Sequence, residues 1–147
     1  MNDLMDGEFE HIVNSAQTLL DQANEMYRKG KDQGTVMSVL LIATSARQML
    51  APEVKYVALD YSDQGNFLSL WGALNAEKVD LYEDAEDMEW ETFSDEAESS
   101  FAWNLDTEDR HLWQQYLTPA EPSGVRAGGP SYLLDVDDVI ARIGATL

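Results

Sequence analysis

An α+β fold is expected of this chain: two N-terminal helices packed on a small antiparallel three-stranded meander, then short helices and a C-terminal helix, in a single domain of residues 1–147. Three observations predict it. Apolar residues recur at three- and four-residue spacing through the first fifty positions, as on one face of a helix. Two apolar and aromatic runs, KYVALDY and FLSLWGAL, then flank the polar turn SDQGN at Ser62–Asn66, the pattern of a β-hairpin. Last, an acidic but aromatic-bearing stretch leads to a terminal strand and helix that close the core. The expected divisions are a helical pair at 8–50, the meander at 54–82, an acidic helical segment at 83–117, a loop at 118–130 and the closing strand and helix at 131–147.

The first helix is placed at Glu8–Lys29. Phe9, Ile12, Val13, Ala16, Leu19, Leu20, Ala23, Met26 and Tyr27 share one face, opposite Glu10, Asn14, Gln17, Asp21, Gln22 and Glu25. Acids at its start and Arg28 with Lys29 at its end suit the helix dipole. Gly30 is expected to stop it. The apolar stripe could take a partner helix, but packing on its own domain is the expectation. Gly30–Gly34 (GKDQG) is short enough to join an antiparallel pair. The second helix, Thr35–Leu50, is apolar on most sides and so central and buried, and Pro52 marks its end. A DNA-reading helix-turn-helix is excluded, because Arg47 is the second helix's only basic residue.

In the hairpin Val57, Leu59 and Tyr61 alternate with Tyr56, Ala58 and Asp60; Leu68, Leu70 and Leu74 alternate with Ser69, Trp71 and Ala73. Apolar residues on both faces imply a sheet covered at least partly on both sides. Gly65 is expected to take the positive φ of the turn. A second turn at Asn75–Lys78 leads to a short third strand, Val79–Tyr82.

Residues 77–109 hold fourteen acids against one base, Lys78. Met88, Trp90, Phe93, Phe101, Trp103 and Leu105 are interleaved, so the segment is folded or docked. A helix is expected at Ser94–Trp103, capped by Thr92 or Ser94, and a second through Leu117, capped by Asp106, with Leu112, Trp113, Tyr116 and Leu117 on its apolar face. Thr118–Pro130 is loop by its prolines and glycines. Ser131–Leu134 reads as a strand, and Asp135 or Asp137 caps a last helix carrying Val136, Val139, Ile140 and Ile143.

Composition bounds function. Twenty-eight acidic residues against nine basic ones give a net charge of −19, which opposes direct binding to nucleic acid or anionic membranes and favours basic partners. The chain has no cysteine, and its longest apolar run, VLLIA at Val39–Ala43, is far short of a membrane span. The opening segment MNDLMDGEFE lacks the basic and apolar regions of a secretory signal, so a cytoplasmic location is expected.

No catalytic, metal or cofactor signature is found. His11 and His111 have no second ligand at metal-binding spacing. Calcium loops starting at Asp80 or Asp60 fail: the first lacks the central glycine, and the second ends on Trp71 where a bidentate glutamate belongs. Nucleophile-elbow and phosphate-loop motifs are absent. No catalytic residue, metal or cofactor is therefore assigned.

What remains is acid mixed with aromatics between Glu83 and Trp103. Carboxylates along a rigid surface can imitate a phosphate array and occupy the groove of a basic DNA- or RNA-processing protein, as phage anti-defence inhibitors do. Alternatively they neutralise a basic toxin in the manner of an immunity protein or antitoxin, with Trp90, Phe93 or Trp103 as anchors. The plain alternative is a solvated face whose aromatics point into the core. The candidate partner-binding residues are Asp80, Glu83, Asp84, Glu86, Asp87, Glu89, Glu91, Asp95, Glu96 and Glu98, with Trp90 as the exposed anchor. A competing class, an enzyme or small-ligand protein, would need Tyr56, Tyr61 or His111 to converge in a cavity between the second helix and the sheet.

Overall fold

The computed structural model describes residues 6–83, 87–120 and 130–145. The elements are α1 (Asp6–Met49), β1 (Tyr56–Tyr61), β2 (Leu68–Leu74), α2 (Met88–Ser100), three short 3₁₀ turns around α3 (Arg110–Trp113), β3 (Thr118–Pro119), β4 (Tyr132–Asp135) and α4 (Val136–Gly144). The α+β class holds. Contacts divide the chain into two units, Met1–Gln33 and Gly34–Leu147.

The expected helical pair is one helix. GKDQG continues α1, and neither Gly30 nor Gly34 takes a positive φ. A helical glycine costs about 1 kcal/mol against alanine, well under the roughly 3 kcal/mol of a proline, so two of them weaken a helix without ending it. The Ser38 hydroxyl donates to the Gly34 carbonyl at 2.8 Å, as a helical i−4 bond. Taken by itself, the Met1–Gln33 unit leaves the large side chains of the apolar stripe exposed. The remainder of α1 behaves as the central helix foreseen: Val39, Leu40, Ile42, Ala43 and Ala46 are buried. In its last turn Arg47 donates to the carbonyls of Pro52 and Val54 and to Asp137 on α4, at 3.0–3.1 Å, fixing the exit of the chain.

Among the described residues the sheet has four antiparallel strands in the order β2-β1-β4-β3, not a three-stranded meander. The segment Val79–Tyr82 is not a strand. Asn75 Oδ1 accepts from the backbone of Glu77 and Val79, Lys78 sits at φ 64°, and the returning chain makes one bridge, Leu74 to Asp80. Asp80 Oδ1 then accepts from Tyr82 N at 2.9 Å and bends the chain off the edge. The third and fourth strands come from far along the chain: β4 pairs with β1, and β3, within the expected loop, pairs with β4. The rest of that loop, residues 121–129, lies outside the described residues.

Gly65 carries φ 71°, and the hairpin closes with Gly65 N donating to Ser62 O. A bulge interrupts β2, because Ala58 faces Gly72 and Leu59 faces Leu70, leaving Trp71 as the extra residue. It reverses the alternation beyond it. Ala73, and not Leu74, therefore joins Leu68 and Leu70 on the core face, while Leu74 packs with Ala58 and Leu133 on the other face beside Tyr56 and Trp71. The exposed edge of β2 is closed along its length. Leu68 N donates to Leu105 O, Thr107 N to Asn66 O, Leu70 N to the Glu98 carboxylate and Leu81 N to Ala73 O. Covering an edge in this way removes a template for unwanted strand pairing.

The main core lies on the face of β1 that carries Val57 and Leu59. It joins α1, Phe93 and Ala97 of α2, Leu105, Trp113, and Val136, Val139 and Ile143 of α4. Trp113 is fully buried and donates its indole N–H to Asp106 O at 2.9 Å. Asp106 also caps the turn after it by accepting from Glu108 N, as expected, but short 3₁₀ and α turns follow in place of one helix. Of the two caps foreseen for α4 the structure uses Asp135, which accepts from Asp138 N.

Candidate acidic interface

Helix α2 starts at Met88, six residues before the expected start, because Asp87 caps it by accepting from Glu89 N at 2.9 Å. Trp90, Phe93 and Ala97 then fall on one face and Glu91 and Asp95 on the other. The early start displaces Thr92 and Ser94 into the helix interior, where neither caps it.

The eleven candidate residues divide by what they touch. Asp80 is a turn residue bonded to Tyr82 N and packed against Gly72. Asp87 is a helix cap. Glu89 accepts the phenol hydrogen of Tyr82, whose oxygen in turn accepts from Ala51 N at 2.9 Å. Burial, then the Glu89 carboxylate, pushes the Tyr82 phenol up to about 12. Glu98 is exposed but tied to Leu70 N at 3.2 Å. Glu83 is exposed. Asp84 and Glu86 lie outside the described residues.

Glu91, Asp95 and Glu96 are exposed and, among the described residues, have no basic partner. Trp90 is not the exposed anchor foreseen: it is half-buried, stacks on Tyr82 at 6.0 Å and packs against Phe93 at 5.6 Å. Phe93 is fully buried. Among the described residues of this stretch the exposed large apolar side chains are Trp103 (55%), already a candidate by sequence, and Met88 (73%), which the sequence suggests only as a folding anchor. Its signal was present: Met88 sits one position after the capping aspartate, in a first turn whose core contact begins only at Trp90.

The residues proposed for a pocket do not converge. Tyr56 and Tyr61 lie an odd number of positions apart on β1 and so face opposite sides of the sheet. Tyr61 meets the Tyr132 hydroxyl at 3.1 Å, which also accepts from Gln114, and the Tyr61 phenol is raised by that bond and by burial. Tyr56 lies beside the Lys55 ammonium, itself held up by Asp135 at 3.1 Å. His111 is exposed on α3 and His11 on α1. Among the described residues no three histidine, aspartate or glutamate side chains gather as metal ligands, and no helix is long and apolar enough to cross a membrane. No protein-family model, curated protein or solved structure matches the chain.

Proposed function

We propose that this chain is a non-catalytic binding protein that presents α2 to a basic surface on a partner protein, the sharper form being a nucleic-acid-mimicking inhibitor of a DNA- or RNA-processing protein. One observation carries the proposal: Glu91, Asp95 and Glu96 project from a helix anchored at Phe93 and Ala97 and have no cation of their own among the described residues. Their charge is uncompensated while their backbone is held rigid by the core, which favours fast, oriented encounter with a basic partner. Glu91 and Asp95 are one turn apart, about 6 Å of helix rise. Phosphates recur about every 3.4 Å of axis on each nucleic-acid strand, so such a row would match alternate phosphates. Trp103 and Met88 supply the apolar contact that charge alone lacks.

The test compares wild-type protein with a Glu91→Gln/Asp95→Asn/Glu96→Gln variant as baits in a cell lysate, with captured proteins identified by mass spectrometry. These substitutions leave the Asp87 cap and the Tyr82–Glu89 bond intact. Capture of a nucleic-acid-binding protein by the wild type alone, with release by added duplex DNA or RNA, is the expected result. Capture of the same proteins by both baits would overturn the proposal. Selective capture that nucleic acid does not release would replace mimicry with neutralisation of a basic toxin.

A further inference from the structure

The apolar stripe of α1 repeats with a period of seven. Writing Phe9 as position a places Ile12, Leu19 and Met26 at d, Ala16 and Ala23 at a, and Val13, Leu20 and Tyr27 at e. Three consecutive heptads of this kind are the pattern of a helix that packs on another helix. Within the Met1–Gln33 unit nothing covers the stripe, and Phe9, Ile12, Val13, Leu19, Leu20, Met26 and Tyr27 are each 50–73% exposed. A lone helix in water draws little stability from propensity alone, and an apolar face is what normally supplies the rest.

We infer that this face is covered by the same face of a second copy of the chain, in an antiparallel helix pair. Side-chain size gives the first argument. In the antiparallel register that sets a against d, Phe9 meets Met26 of the second copy, Ile12 meets Ala23 and Leu19 meets Ala16. Every alanine is thus opposed by a large side chain, and the layers have even thickness. A parallel pair would set Ala16 on Ala16 and Ala23 on Ala23, with Phe9 on Phe9 at one end.

Charge gives the second argument. The chain has only nine basic residues, yet Arg28, Lys29 and Lys31 fall within four positions, while Glu8 and Glu10 lie at the opposite end of the stripe. Antiparallel pairing brings unlike ends together, and in the register above Glu8 at g lies opposite Lys29 at g of the second copy. Lys29 pairs with Glu25 on its own helix, at 3.5 Å with both side chains largely exposed. Parallel pairing would instead stack acid on acid and base on base. Size gives the third argument: covering the exposed residues of the stripe would remove on the order of 800 Å² per copy from water, which is the standard size of a stable interface. The inference is independent of any role for α2.

Sedimentation equilibrium of the full chain from 1 to 100 μM tests it. The expected result is a mass of twice the 16.5 kDa chain at the upper concentrations. Leu19→Asp, which places a carboxylate in two symmetry-related layers, should weaken association about a hundredfold or more. Glu8→Lys and Lys29→Glu should each weaken it about threefold, and the double reversal should restore it. Because the chain has no cysteine, introduced thiols report direction: a mixture of Ala16→Cys and Leu19→Cys proteins should cross-link to each other in preference to themselves. A wild type that stays monomeric at 100 μM, or an oligomer indifferent to Leu19→Asp, would overturn the inference. Self-cross-linking of Ala16→Cys would overturn the antiparallel direction.

Discussion

Replacing Tyr82 by phenylalanine isolates one hydroxyl that joins three parts of the fold. That oxygen accepts from Ala51 N, just past the end of α1, and its hydrogen goes to Glu89 in the first turn of α2, while the ring stacks on Trp90. Phenylalanine keeps the ring and its stacking and removes both bonds. A typical hydrogen bond contributes about 1 kcal/mol net and one to a charged group about 1.5–3 kcal/mol, and Glu89 is exposed enough to recover water, so the expected loss is about 2 kcal/mol. The phenol's acidity adds a dependence on pH: burial, which disfavours the phenolate, and then the bond to Glu89 raise it from 10.0 to about 12 in the folded state. The sign follows from linkage. A folded-state pKa above the unfolded value gives a contribution that is complete below pH 10 and is lost as pH rises from 10 through about 12. Urea unfolding of wild type and Tyr82→Phe at pH 7, 9, 10.5 and 11.5 reads both effects, and repulsion from the −19 net charge largely cancels between the two proteins. The stability gap should be near 2 kcal/mol up to pH 9 and should narrow above pH 10. A gap below 0.5 kcal/mol at pH 7, or one that stays constant to pH 11.5, would refute the coupling of α1 to α2 through this hydroxyl.

Other substitutions probe separate elements. Gly30→Ala and Gly34→Ala should each raise stability by about 0.5–1 kcal/mol and raise helical ellipticity, since a Cβ at either glycine meets nothing within 4 Å and neither has a positive φ; a turn at GKDQG would make both destabilising. Arg47→Lys should cost about 1–2 kcal/mol in urea unfolding, because an ammonium cannot reproduce the fork that serves Pro52 O, Val54 O and Asp137 together. Asp135→Ala should cost about 1 kcal/mol through loss of the α4 cap, and should lower the raised Lys55 pKa, which NMR titration would detect.

Local chemistry was legible where a residue's role is settled by its near neighbours. The hairpin, its positive-φ glycine, the Asp106 turn and the α4 cap followed from turn and capping rules, and the buried half of α1 from its apolar surround. Three features were set elsewhere. GKDQG resembles a connection by composition, yet helix continuation costs only the propensity of two glycines. The bulge at Trp71 inverts the strand's alternation, so pattern alone placed Leu74 on the wrong face. The strand expected at Ser131–Leu134 is present as β4, one residue later, but its pairing with β1, more than seventy residues away, and the two-residue ladder of β3 leave no local trace.

Counting acids overstated the candidate site for a related reason. A carboxylate is also the ordinary acceptor for backbone N–H groups that a fold leaves over. Asp80, Asp87 and Glu98 serve a turn, a helix start and the open edge of β2, and Glu89 serves a buried phenol. Each of these already accepts a hydrogen bond that the fold itself uses, so its position is explained by a structural task. Glu91, Asp95 and Glu96 differ in standing on the face of α2 that the core does not use. The same logic applies at the other end of the chain: among so many acids, Arg28, Lys29 and Lys31 are informative because they are rare, and they stand beside an apolar stripe whose acidic end lies about five helical turns away. In a chain this acidic, the informative charges are the carboxylates without a structural task and the few cations gathered in one place.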